Sequence, residues 1–268
     1  HSKGNSEIPP VGELLFEDPP GEVHIKYGYL KGGSHYVIKI ASGFPNNKEE
    51  GIKSGQGMML LFDINTGLPQ AILVDEANLT DLRTGIAGAI ASQTLANSDL
   101  EVATIIGSGV QARYQARCHV DLMSLNSLMI WARDHKKAEV LMDDLADLNI
   151  TIKIRNDLEA LVKESQLIIT ATSAKTPIIK SDWVQPGTHI TAVGSDTPEK
   201  CELDPKLLAK ASIVVADSIS QNKLRGEIYQ ALKENCLSAE DLIELGEVLE
   251  GTKLGRTGPN QITVADLT

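Results

Sequence analysis

The stretch Val102-Ala103-Thr104-Ile105-Ile106-Gly107-Ser108-Gly109-Val110-Gln111-Ala112 decides how this chain is read. A short apolar run suited to a buried strand enters Gly-x-Gly-x-x-Ala, and residues 113–122 continue as a helical pattern. At such a strand-to-helix turn Gly107 permits the tight bend, Gly109 lets the backbone approach a pyrophosphate, and Ala112 lets the helix pack close to its strand. The free N–H groups of the helix start then face the phosphates. A lone Gly-x-Gly is weak, because a glycine turn can simply connect two elements. Its surroundings strengthen it. Strand-like runs at 128–132, 151–154, 167–171, 189–193 and 213–216 alternate with helical stretches such as 136–148 and 158–165. Most are near-continuous apolar runs, as in strands covered by helices on both faces. The expected fold is α/β, with a Rossmann-type doubly wound parallel sheet binding a dinucleotide.

The end of the next strand bears on which dinucleotide. A carboxylate there, roughly 20 residues beyond the glycines, would bind the ribose 2′-hydroxyl of NAD. Here Leu128-Met129-Ile130-Trp131-Ala132 is followed by Arg133, with His135, Lys136 and Lys137 close behind. A cation in that place pairs with a 2′-phosphate, so NADP is favoured over NAD. Asp134 would favour NAD if the strand end shifts by one residue, and the whole run also reads as a solvated charged loop.

Residues 1–77 have a different texture. Val23-His24-Ile25-Lys26-Tyr27-Gly28-Tyr29-Leu30 and Tyr36-Val37-Ile38-Lys39-Ile40-Ala41 flank Lys31-Gly32-Gly33, which suits a hairpin. A second hairpin joins residues 58–63 to 71–74 through Asn65-Thr66-Gly67. An Ala-rich helix over 81–96 follows, capped by Asn78 or Thr80. Near the end, a glycine-rich loop over 251–258 leads to one more strand at 261–265.

Composition limits the classes of function. The 268 residues carry 25 Lys+Arg against 36 Asp+Glu, a net charge of −11, which repels nucleic-acid phosphates and anionic lipid. No apolar run reaches the roughly 20 residues that span a bilayer. The opening His1-Ser2-Lys3-Gly4-Asn5 is polar and unlike a secretory leader. Three cysteines, 118, 201 and 236, suit a reducing compartment, so a cytoplasmic location is expected. Neither CxxC nor HExxH occurs, and no metal is expected.

Four side chains stand out, each with a plainer reading beside the chemical one. Lys39 lies between isoleucines inside a strand; it is a substrate-carboxylate anchor, or else an edge-strand lysine or one that snorkels its head to water. Lys26 alternates similarly in the preceding strand. Arg83 near the start of the Ala-rich helix is an anchor or an ordinary surface arginine. Asp196, just beyond the carboxyl end of the 189–193 strand, stands where open α/β sheets bind ligands; it is a proton-transfer group or a loop acid capping a turn. The histidines form no pattern.

Taken together, Leu79-Thr80-Asp81-Leu82-Arg83-Thr84-Gly85-Ile86-Ala87, the glycine turn, Ala192-Val193-Gly194-Ser195-Asp196 and Glu202-Leu203-Asp204 resemble the ornithine cyclodeaminase/mu-crystallin family. Lys39 within VIKIASGFPNN, the hairpin LLFDINTGLP and the tail QITVADLT fit the same family. The resemblance runs over residues 23–268 and implies a homodimer. Each protomer would have a Rossmann domain (98–245) inserted in a discontinuous α+β substrate and dimerisation domain (1–97 with 246–268). It implies hydride exchange between a nicotinamide and the α carbon of a small amino or imino acid. Cyclodeamination of an ornithine-type substrate is the first reading; ketimine or pyrroline-2-carboxylate reduction, or amino-acid dehydrogenation, is the second. A non-catalytic binding protein is a third.

Residue by residue, the resemblance gives Lys39 and Arg83 to the substrate carboxylate, with Lys39 and Asp196 as the catalytic pair and Arg83 also near the cofactor. Ser54 and Thr172 with Val193 fall to the nicotinamide half, Val110 and Gln111 to the pyrophosphate, and Lys200 to the cofactor region. Two departures stand out. Ala132 replaces a carboxylate of NAD-using cyclodeaminases, and an upstream arginine has no counterpart, a lack for which Lys26 can compensate.

Overall fold

The computed structural model describes residues 4–268, which form two compact units that divide between Leu82 and Arg83. The first is an antiparallel sheet of β1 (Ser6–Glu7), β2 (Gly12–Phe16), β3 (Gly21–Leu30), β4 (His35–Gly43), β5 (Gly55–Asp63) and β6 (Pro69–Val74). The order is β1-β3-β4-β5-β6, with β2 also pairing β3. Both expected hairpins form. The second is closed by Asp63, whose side chain accepts from the Asn65 and Thr66 amides at 3.0 and 2.9 Å. β1 and β2 add to the expected set; the first has two residues and the second no alternation to mark it.

Register divides this sheet by chemistry. Ile25, Ile40, Met58 and Val74 stand in one cross-strand row and Tyr27, Ile38, Leu60 and Ile72 in the next, all on one face. That face is apolar yet open, with Ile72 65% and Val74 73% exposed. Lys26, Lys39, Met59 and Leu73 form a row on the opposite face. Among the described residues of this unit only Ala77 is a fully buried hydrophobic.

Helix α1 (Asn78–Leu95) starts in the first unit and runs into the second. There follow β7 (Val102–Ile106), α2 (Val110–Met123), β8 (Ser127–Trp131), α3 (His135–Asp144), β9 (Thr151–Ile154), α4 (Leu158–Glu164), β10 (Leu167–Thr170) and β11 (His189–Ala192). The chain ends with α5 (Pro205–Lys210), β12 (Ile213–Ala216), α6 (Ile219–Asn222), α7 (Gly226–Lys233), β13 (Ile243–Glu244), α8 (Leu245–Leu249) and β14 (Thr263–Asp266). Eight strands make one parallel sheet, ordered β9-β8-β7-β10-β11-β14-β12-β13. The order reverses beside β7, the place where such sheets bind ligands.

Two features differ from the expected division. Residues 83–97 belong with the parallel sheet, and so does the terminal segment: β14 inserts between β11 and β12 instead of joining the first unit. Its run Thr263-Val264-Ala265-Asp266 is fully buried, as an inner strand requires.

Alternate strand residues feed two cores. Ala103, Ile105, Leu128, Ile130, Leu167 and Ile169 pack with α1, α2 and α3 residues such as Leu95, Ala116 and Leu141. Ile106, Ile168, Ile190, Val214 and Val264 pack on the other side with Val162, Leu207 and Ile228. Under α1 the layer is polar. His119 Nδ1 lies 2.7 Å from the Gln115 carbonyl and Nε2 2.8 Å from Ser92 Oγ. Ser92 reaches Thr191 at 2.8 Å, Thr191 reaches His189 Nε2 at 2.9 Å, and His189 Nδ1 reaches Thr263 Oγ1 at 2.8 Å. Arg256 donates to that hydroxyl at 2.9 Å and to the Leu95 carbonyl at 2.6 Å. A carbonyl only accepts, so at the Gln115 end His119 donates from Nδ1, and the neutral ring's Nε2 accepts from Ser92. At the other end the Thr263 hydroxyl donates to the Leu95 carbonyl at 3.0 Å and accepts from Arg256.

Both rings are neutral. Burial holds His119 down at about 4, and burial with the Arg256 charge holds His189 at about 3. Below the unfolded value of 6.5 the unfolded chain binds protons that the folded chain refuses, so this contribution to stability is lost as pH falls from 6.5 toward 4. A His119→Gln variant lacks that penalty. Its loss of stability relative to wild type should be about 2 kcal/mol smaller at pH 5 than at pH 7 by urea unfolding, and an equal loss at both would show that the ring is not held neutral.

Candidate functional site

The turn between β7 and α2 is built around the absence of side chains. Gly107 has φ +132°, and a Cβ there would sit 2.4 Å from the Ala171 carbonyl oxygen at the end of β10. Only glycine fits, for both reasons. Gly109 is the opposite case: it is the N-cap of α2, extended, with no side chain capping the helix and open space where a Cβ would point. Val110, the first helical residue, is exposed, Gln111 is half-buried, and Ala112 is fully buried beneath the turn. The helix start therefore presents N–H donors to open space beside a backbone without side chains, which fits a dinucleotide pyrophosphate.

The neighbouring strand ends are held as tightly. A Cβ on Gly194 would lie 2.2 Å from the Thr172 carbonyl oxygen, so the loops after β10 and β11 touch through backbone. Between them sits Glu202. It accepts from the Thr172 amide at 2.6 Å, the Thr170 hydroxyl at 2.8 Å and the Gly194 amide at 2.9 Å. Glu227 of α7 in turn accepts from the Ser195 hydroxyl and from the amides of Glu202 and Leu203, at 2.8 and 3.0 Å for the two amides. Asp266 at the end of β14 accepts from the Ile228 amide at 2.8 Å. All three carboxyls are buried. Burial and the nearby Glu227 push Glu202 up to about 7; burial raises Glu227, and burial with Glu227 raises Asp266 well above the usual range.

The structure brings several of the expected residues together and leaves others by themselves. Gly107, Thr172, Val193 and Gly194 converge at the ends of β7, β10 and β11, with the Val193 amide on the Thr170 carbonyl at 3.0 Å. Asp196 follows in the same loop. It is ion-paired with Lys200, and its carbonyl accepts from Arg225 at 3.4 Å. Arg133 is exposed just past β8, while Asp134 caps α3 by accepting from the Lys136 amide at 3.1 Å. Arg83 is exposed on α1. Beside it, Thr84 O accepts from Gln115 of α2 at 3.0 Å, and Gly85 and Gly88 leave room for Tyr114, Gln115 and Cys118, fixing this helix to the phosphate-loop helix.

In the first unit Lys39 lies on an inner strand between β3 and β5, which removes the edge-strand reading, and Lys26 is its direct cross-strand partner. Both are half-buried. The Ser54 hydroxyl is buried with no hydrogen-bond partner among the described residues. No group of metal-ligating side chains occurs among the described residues, and no helix among them is long and apolar enough to cross a membrane. The sequence singles out neither Glu227 nor Arg225, since isolated polar residues in mixed segments carry no period, and Asp266 is visible only within the tail QITVADLT. Glu202 is visible only through the string it shares with Leu203 and Asp204.

Comparison with known proteins agrees with this architecture. The chain is 41% identical over 264 residues to an uncharacterized cyclodeaminase of Sinorhizobium fredii, covering 98% of this chain and 80% of that one. It superposes with a TM-score of 0.93 on Thermococcus litoralis Δ1-pyrroline-2-carboxylate reductase, solved with NADH and L-proline, at 28% identity over 100% of this chain and 83% of that one. An archaeal alanine dehydrogenase dimer with bound NAD gives a TM-score of 0.91 at 31% identity, covering 100% and 81%. The profile of the ornithine cyclodeaminase/mu-crystallin family matches residues 1–268, and the chain belongs to that family.

Proposed function

We propose that this chain is an NAD(P)-dependent oxidoreductase that interconverts a small imino acid and its amino acid. The turn at 107–109 carries the reading, because it leaves backbone donors and empty space where a pyrophosphate fits and a side chain does not. A bound nicotinamide would supply or take up the hydride at the substrate carbon. Gly107, Gly109, Val110 and Gln111 hold the phosphates, and Thr172 and Val193 line the nicotinamide half; the orphaned Ser54 hydroxyl fits a polar partner, and the family resemblance makes the cofactor its candidate. Arg133 reads the 2′ position and favours NADP, since Asp134 is engaged as a helix cap.

Lys39 and Lys26, with Arg83, bind the substrate carboxylate; fixing it orients the α carbon and replaces a chance encounter by a directed one. The two lysines at one register position favour an anionic substrate over one with a second ammonium group, which supports imino-acid reduction. Asp196, held by Lys200, handles the proton on nitrogen. Cyclodeamination is the second reading, favoured by that acid at the carboxyl end of a parallel strand and by the Sinorhizobium relative.

The open apolar face of the first sheet is the surface on which a second copy of this chain docks, giving a homodimer as described for the archaeal alanine dehydrogenase. The setting is cytoplasmic, in keeping with three free cysteines.

Three measurements test these assignments. Purified enzyme should oxidise NADPH with pyrroline-2-carboxylate or piperideine-2-carboxylate, and Lys39→Ala should lower kcat/KM by roughly 10- to 100-fold, the loss of one charged hydrogen bond. No oxidation with either imine, but ammonia and proline from ornithine with catalytic NAD, would establish the cyclodeaminase instead. Arg133→Ala should weaken NADPH relative to NADH; an unchanged preference removes Arg133 as the reader. Ile72→Asp should convert the dimer to monomer in light scattering, whereas a dimer that persists places the interface elsewhere.

A further inference from the structure

We infer that Glu202 is a positioning residue for the nicotinamide half of the cofactor site, acting through the backbone of the two loops that border it. The inference rests on the dinucleotide reading above. Its basis is the bonding pattern of one buried carboxylate. One oxygen takes the Thr172 amide, and the other takes the Gly194 amide and the Thr170 hydroxyl. Thr172 and Gly194 lie on different strands' extensions, so this one group sets their separation. That separation has no slack: the Gly194 Cα is already close enough to Thr172 O to exclude a Cβ, and Gly107 Cα to Ala171 O likewise. A small shift at Glu202 therefore moves both the wall beside Val193 and the wall beside the phosphate turn.

The charge state matters because two of the three donors are amides that cannot reverse. An ionised carboxylate satisfies all of them; an amide side chain would set an N–H against an N–H. The ionisable group that acts on Glu202 most strongly among the described residues is Glu227 of α7, which has Cys201 on its far oxygen and raises Asp266 of β14 in turn, all acids. The grip is thus weaker at low pH, and burial with Glu227 brings that loss close to neutrality. Glu202 touches neither Asp196 nor Lys200 in any described hydrogen bond, so it acts through geometry and not as a proton donor.

The test separates the nicotinamide from the rest of the cofactor. Binding of NADPH and of 2′-phospho-ADP-ribose, which lacks only the nicotinamide, is measured by calorimetry for wild type and Glu202→Gln at pH 8.5 and pH 6. The expected result is a loss of at least tenfold for NADPH in the variant, with the truncated ligand within twofold. The wild type at pH 6 moves toward the variant, and the variant's ratio stays flat. Thr170→Val, which removes one donor at constant volume, gives the same split at about threefold and serves if Glu202→Gln does not fold. Equal loss of both ligands, or loss of neither, overturns the role of Glu202 while leaving the dinucleotide reading in place. A wild type that binds neither these ligands nor NADH and ADP-ribose overturns both.

Discussion

A contact that tolerates no side chain governs the carboxyl end of the parallel sheet. The Gly107 backbone passes so close to the Ala171 carbonyl that a methyl group in place of its hydrogen would stand 2.4 Å from oxygen. This approach binds the first strand's turn to the loop of the strand that begins the sheet's other half, and it occurs where strand order reverses. The gap that such a reversal opens in a doubly wound sheet is the place where a ligand meets two sets of loops at once. Gly109, next to the turn, and Thr172, next to Ala171, take their positions from that one crossing.

Tight backbone crossings leave amides that helices and strands do not satisfy, and the fold answers with buried acids. Glu202 serves Thr172 and Gly194, Glu227 serves the chain carrying Glu202, and Asp266 serves the start of the helix carrying Glu227. Each acid steadies the segment that holds the one before it. Burying three carboxyls is unfavourable by itself, which is why their proton affinities rise, and multiple amide donors offset part of that. On the other side of the sheet the hydroxyls and histidines under α1 are linked by the same logic with neutral groups.

How much of this was legible depended on whether a residue's task leaves a period or a motif. The glycine turn and the apolar strands did, because steric exclusion and double-sided burial restrict composition at consecutive positions. The place of β14 did not: its four residues read correctly as a strand, but nothing local distinguishes a strand that closes the first domain from one inserted between β11 and β12. That the compact units part between Leu82 and Arg83, and not at 97, was hidden for the same reason, since α1 reads as an ordinary Ala-rich helix until Gly85 and Gly88 are seen against Gln115 and Cys118. His119 and His189 are 70 positions apart and meet only through Ser92 and Thr191, so no spacing could reveal them. Lys39 is the converse case; its setting between isoleucines marked it out while leaving an anchor and a plainer lysine both open, and the register supplied what the sequence could not, namely an inner strand with Lys26 directly opposite.

The antiparallel sheet has one more consequence. With a single fully buried apolar residue among those described, it lacks an interior of its own, and its Ile, Tyr, Met and Val rows meet water in the isolated chain. Whatever covers those rows completes the hydrophobic core from outside. With a second copy docked there as proposed, folding of this half and association would be one equilibrium, so dilution would act on it as a denaturant does, and its melting point would rise with the logarithm of concentration.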